Sequence, residues 1–120
     1  MKKKILIVLA DYYKDISNGL LKSAKSKLKN SFSIKIVRVP GVFEIPVTIS
    51  KNIKKYDGFI ALGCVIKGQT PHFDFISYAS TNAIMHLAVD SKKPIGNGIL
   101  TCLNIKQARE RMKKGSEASN

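Results

Sequence analysis

The segment Thr70-Pro71-His72-Phe73-Asp74 sets a histidine where a helix is about to begin. Threonine is a favoured N-cap and proline a favoured first helical residue. A helix N-terminus offers free N–H groups and a positive field, which suits phosphate. The same field disfavours protonated imidazole, so His72 stays available as a proton carrier near neutral pH. The alternative is a helix-capping histidine with no chemistry.

Gly41-Val42-Phe43-Glu44 is a second such segment. Gly41 allows a tight turn or a close ligand approach, Phe43 offers a ring, and Glu44 an acceptor beside a helix start. An ordinary strand-to-helix turn has the same composition. Tyr12 could stack on a flat heterocycle or merely cap the surface. An aromatic platform, an anion seat and a histidine together suit a flat, hydrogen-bonding substrate and a phosphorylated one.

Short apolar runs alternate with amphipathic stretches along the chain. Ile5–Ala10 is continuously apolar, as in a strand buried on both faces. Ile16, Leu20, Leu21, Ala24 and Leu28 recur at helical spacing. Ile34–Val39 reads as the second strand, and Pro40-Gly41 ends it. Glu44 to about Lys55 reads as a helix with Pro46 in its first turn. Gly58–Val65 is the third strand, and the helix after Thr70 runs to about Val89, closed by Ser91-Lys92-Lys93-Pro94. Ile95–Thr101 is the fourth strand. Asn104 and Gln107 have capping-box spacing and open a last helix.

Strands alternating with helices imply right-handed βαβ units and a parallel sheet. The expected fold is a three-layer α/β/α sandwich on a four-stranded parallel sheet, flavodoxin-like and doubly wound, in one domain over residues 1–120. Ligands of such sheets bind outside the carboxyl ends of the strands. That rule selects Asp11-Tyr12-Tyr13, residues 39–44, residues 64–72 and the turn around Cys102.

The 120 residues are 44% hydrophobic and 24% charged, a globular composition. No apolar run reaches membrane-helix length. The start, Met1-Lys2-Lys3-Lys4 before six apolar residues, is too short for a secretory signal and lacks a small-residue cleavage site. Cys64 and Cys102 are too few for a disulfide framework or a zinc site, and a cytoplasmic location is expected. Both read as packing residues, and His86 as structural. The net charge of +13 is spread: residues 1–60 carry 13 basic and 4 acidic groups, residues 61–120 carry 8 and 4. Lys22, Lys25, Lys27, Lys29, Lys51, Lys54 and Lys55 fall near helix ends, where solvent and dipole favour them. With no nucleic-acid motif present, no nucleic-acid and no membrane partner is expected. P-loop, dinucleotide, nucleophile-elbow and receiver patterns are also missing.

Three ordered blocks carry a family resemblance. Val39-Pro40-Gly41-Val42-Phe43-Glu44-Ile45-Pro46 is similar to V-P-G-A-F-E-[IL]-P. Residues 61–74 resemble A-L-G-x-V-I-[RK]-G-x-T-x-H-[FY]-[DE]. Gly98-Ile99-Leu100-Thr101, with Gln107-Ala108 and Glu110-Arg111, resembles a third block. The family is 6,7-dimethyl-8-ribityllumazine synthase, of riboflavin biosynthesis, and the similarity runs from about residue 4 to 117.

The resemblance implies condensation of 5-amino-6-(D-ribitylamino)uracil with 3,4-dihydroxy-2-butanone 4-phosphate, without metal or organic cofactor. By position it makes His72 the proton donor. Tyr12, Val42, Phe43, Glu44, Cys64, Val65 and Ile66 would hold the pyrimidine and ribityl chain, with Asn97 nearby. Gln69, Thr70, Arg111 and Lys114 would bind phosphate. It also implies homopentamers, with the Arg111 block supplied by a neighbouring subunit, and riboflavin synthase as a candidate partner. Asn97 stands where the family favours Phe or another apolar residue, and Asp11 and Tyr13 alter the first loop. The last helix and the N-terminal segment are expected to be shorter than usual, and assembly to stop short of a capsid. The competing reading is an inactive relative that binds a flavin-like or phosphorylated ligand without turnover.

Overall fold

A computed structural model describes the backbone at residues 2–28, 30–68 and 72–118, with side chains except at 72 and 114–118. Strands β1 (Lys3–Ala10), β2 (Phe32–Val39), β3 (Gly58–Ile66) and β4 (Ile95–Cys102) alternate with helices α1 (Lys14–Leu28), α2 (Ile45–Lys51), α3 (His72–Ser91) and α4 (Ile105–Ala118). The sheet is parallel throughout, in the order β2-β1-β3-β4. This is the doubly wound sandwich that the alternation predicts.

The apolar run of β1 explains its place. Leu6, Val8 and Ala10 face one layer, with Ile45 and Ile49 of α2 and Ile84 of α3. Ile5, Ile7 and Leu9 face the other, with Leu21 of α1. Ile16, Cys64, Cys102 and Ala108 extend that second layer to α4. Each fully buried Leu or Ile contributes about 1.5–3 kcal/mol of transfer free energy. No helix among the described residues is long and apolar enough to cross a membrane.

Two boundaries differ from the sequence reading. A 3-10 turn, Val42–Glu44, precedes α2, which ends at Lys51 rather than near Lys55. Asn52 stops it: its backbone leaves helical angles, and its Nδ2 donates to Thr48 O at 2.8 Å. Lys54 and Lys55 therefore sit in the turns leading to β3. The start of α4 follows its expected cap. Gln107 N–H donates to Asn104 Oδ1, and Leu103 N–H to Gln107 Oε1, each at 2.8 Å.

Candidate active site

In the order β2-β1-β3-β4 the chain leaves β1 in opposite directions, so a crevice opens beyond the carboxyl ends of β1 and β3. A cleft of about 320 Å³ lies there. Tyr12 and Tyr13 come from the end of β1, Gly41 and Val42 from the end of β2. Cys64, Val65 and Ile66 end β3, and Ile76 of α3 closes the wall.

Local bonds fix the first wall. Asp11 N–H donates to Val39 O at 2.9 Å, and Ser17 Oγ to Ala10 O at 2.6 Å. Arg38 pairs with Asp11 at 3.0 Å. These contacts tie the ends of β1 and β2 to the start of α1. The Tyr12 and Tyr13 rings meet edge to face, with centroids 4.9 Å apart, a favoured aromatic geometry. Tyr12 is 75% exposed, whereas Tyr13 packs onto the layer containing Cys64. Burial, with Tyr12 and Cys64 nearby, raises the Tyr13 pKa, so its hydroxyl remains a proton-bearing donor.

Gly41 does not need glycine's conformational freedom. Its φ of −149° and ψ of 172° are ordinary extended backbone. An added Cβ would lie 3.3 Å from Glu44 Oε1, the flexible end of that side chain. Glu44 caps α2, and its carbonyl accepts Thr48 Oγ1 at 2.9 Å.

The 3-10 turn separates residues that the sequence reading grouped together. Val42 is buried toward the cleft, while Phe43 is 63% exposed. Phe43 and Glu44 line a neighbouring depression of about 440 Å³, against Ala79, Ser80 and Ala83 of α3. Arg111 lies beyond β3, at the end of β4. Its Nη1 donates to Thr101 O at 2.8 Å and approaches Cys102 Sγ at 3.8 Å. Asn97 is exposed on β4, with Oδ1 accepting Ile99 N–H at 3.0 Å. It is five residues short of the strand's end, about 16 Å at the usual rise, and does not line the cleft of its own chain. His72 is the first residue of α3, Lys114 is in α4, and the side chains of both lie outside the described residues. Gln69, Thr70 and the expected Thr70–Pro71 cap also lie outside them.

The Cys64 thiol is pushed up to about 12, first by burial and then by Cys102. It is neutral at physiological pH and is no nucleophile. Both cysteines are free and buried, in keeping with a packing role. His86 is exposed on α3. The sequence reading missed Ile76 as a wall of the cleft. The signal was available: Ile76, Ser80 and Ile84 recur every four residues on the inward face of α3.

This arrangement can hold a flat molecule against Tyr12, present strand-end backbone groups to its polar edge and bring the start of α3 alongside. Comparison with known proteins shows the family. The family model described as 6,7-dimethyl-8-ribityllumazine synthase matches residues 2–120. A protein of that name from Bartonella tribocorum is 48% identical over 95% of this chain and 80% of its own length. One from Agrobacterium fabrum is 42% identical, over 97% and 84%. One from Corynebacterium kroppenstedtii is 37% identical, over 96% and 77%. The chain belongs to the 6,7-dimethyl-8-ribityllumazine synthase family of transferases.

Proposed function

We propose that this enzyme condenses 5-amino-6-(D-ribitylamino)uracil with 3,4-dihydroxy-2-butanone 4-phosphate, releasing 6,7-dimethyl-8-ribityllumazine, phosphate and water, in riboflavin biosynthesis. The observation that carries the reading is the switch-point cleft between Tyr12 and residues 64–66, in a chain of this family. The aromatic amine attacks the ketone, forming a C–N bond and losing water to give an imine. Phosphate then leaves with its C–O bond, and ring closure makes the second C–N bond with loss of another water.

The tasks proposed for the residues are those that the family's motif carries over by position. Tyr12 stacks on the pyrimidine, and Val42, Phe43 and Glu44 hold the pyrimidine and ribityl chain. Cys64, Val65 and Ile66 contribute backbone contacts. Asn97 lies near the pyrimidine of another copy's site. Gln69, Thr70, Arg111 and Lys114 bind the phosphate. His72 carries protons to and from the reacting atoms, a role typically worth ~10²–10⁴-fold. Holding both substrates in register removes much of the entropic barrier.

The proposed working unit is a homopentamer with shared sites, in the cytoplasm, and riboflavin synthase is its proposed partner. Two observations support a shared site. Arg111 stands off its own chain's cleft. Phe75, Tyr78, Met85 and Val89 expose an apolar stripe along α3 at helical spacing, the kind of face that partners cover. The test is product analysis: lumazine and phosphate should appear in equal amounts when both substrates are present. Absence of product from folded, assembled protein would refute the reading.

A further inference from the structure

The pole opposite the cleft, where β1 and β3 begin, gathers lysines from separate stretches of chain. Two adjoining depressions of about 640 and 380 Å³ share Lys4, Lys54, Lys55 and Tyr56. Lys35 of β2 is added on one side, Lys2 and Lys3 on the other. Lys93 also reaches this pole, but its ammonium is occupied by Ile53 O and by Tyr56 O at 2.8 Å. Among the described residues, Asp57 is the one acidic residue lining either depression. Its carboxylate accepts the Lys4 backbone N–H at 2.7 Å. The ion pairs among the described residues are Arg38–Asp11 and Arg109–Asp15, so none involves a lysine of this pole.

Like charges crowded without counter-charge repel one another, and an anion relieves that repulsion. Concave walls focus the field further. Lysine is a compact point charge that suits phosphate oxygens without demanding one geometry. The larger depression exceeds the needs of a single phosphate, and the lysines on its rim are spread over three segments. We infer that this lysine pole is a second anion site, separate from the cleft, that binds a short chain of linked phosphates. Inorganic tripolyphosphate and the triphosphate of a nucleotide share that chemistry. Tyr56 lines both depressions, but its ring packs edge to face with Phe59 of the core.

The test is calorimetric titration of the intact protein near 0.15 M salt with tripolyphosphate, a nucleoside triphosphate and a single-stranded oligonucleotide. Saturable tripolyphosphate binding, one per chain, is expected, and Lys54→Glu/Lys55→Glu should weaken it at least tenfold. Lys22→Glu/Lys25→Glu on α1 changes net charge equally and should leave affinity within twofold. Lys4→Gln/Lys35→Gln gives a milder second probe, expected to weaken binding severalfold. Circular dichroism and lumazine formation should be unchanged in every variant. Equal binding of the two triphosphate-bearing compounds would assign recognition to the phosphates alone, and tighter nucleotide binding would add a contact to the nucleoside. Equal losses in the pole and α1 variants, or binding only by the oligonucleotide, would overturn the proposal.

Discussion

Gly63 of β3 lies directly against Val42, the buried residue of the turn after β2. A Cβ added at Gly63 would fall 2.8 Å from Val42 Cγ2 and 2.9 Å from Ala10 Cβ. The glycine is needed for close approach, because it lets the Val42 turn settle onto the sheet and form a wall of the cleft. Gly63→Ala should therefore destabilise the fold by about 1–3 kcal/mol, the usual cost of overpacking. It should also raise the KM for the pyrimidine more than that for the phosphorylated substrate. Denaturant melts and substrate titrations check both, and an unshifted melt would show that the turn yields freely.

Cys64 gives a pH prediction. Its folded pKa, about 12, lies above the ordinary thiol value of 9.0. The folded state thus holds the proton more tightly than the unfolded chain. The resulting stability is fully present below pH 9 and is lost as pH rises towards 12. Melting temperatures should fall across this window, and less steeply in Cys64→Ala. At pH 8 a thiol reagent should leave Cys64 unmodified in folded protein and label it after denaturation. Rapid native labelling would contradict the burial.

The reciprocal bonds among Leu103, Asn104 and Gln107 hold the start of α4. Asn104→Ala should cost about 1 kcal/mol, and Asn104→Asp should retain most of the stability. Equilibrium unfolding measures both.

Arg111 holds its place through Thr101 O. In the proposed reaction its remaining donors take the substrate phosphate. Arg111→Lys should raise the KM for the phosphorylated substrate about tenfold, the scale of a lost charge-assisted hydrogen bond, with the pyrimidine KM little changed. A selective rise in the pyrimidine KM would contradict that role.

Much of this architecture can be read locally. The apolar run Ile5–Ala10 announces a strand buried on both faces, and Asn104 with Gln107 announces a helix start. Both signals act within a few residues, and the structure keeps them. The site was only partly legible. The turn at Val42–Glu44 sends neighbouring side chains to different depressions, which depends on α3 and so on tertiary packing. Asn97 is read beside the site by resemblance, yet the strand register holds it away from its own cleft. The lysine pole was hidden for the same reason. Counted along the chain, the charges look spread rather than gathered. Folding brings residues 2–4, 35 and 54–55 together, because β1 lies between β2 and β3.

The most direct measurement is the rate of lumazine formation from the two proposed substrates, by the wild-type protein and His72→Ala beside a no-protein control. The account predicts product well above the control for wild type, and a loss of about 10²-fold or more in the variant. Folded wild-type protein no faster than the control would contradict the assigned reaction. An undiminished rate in His72→Ala would remove His72 from the chemistry.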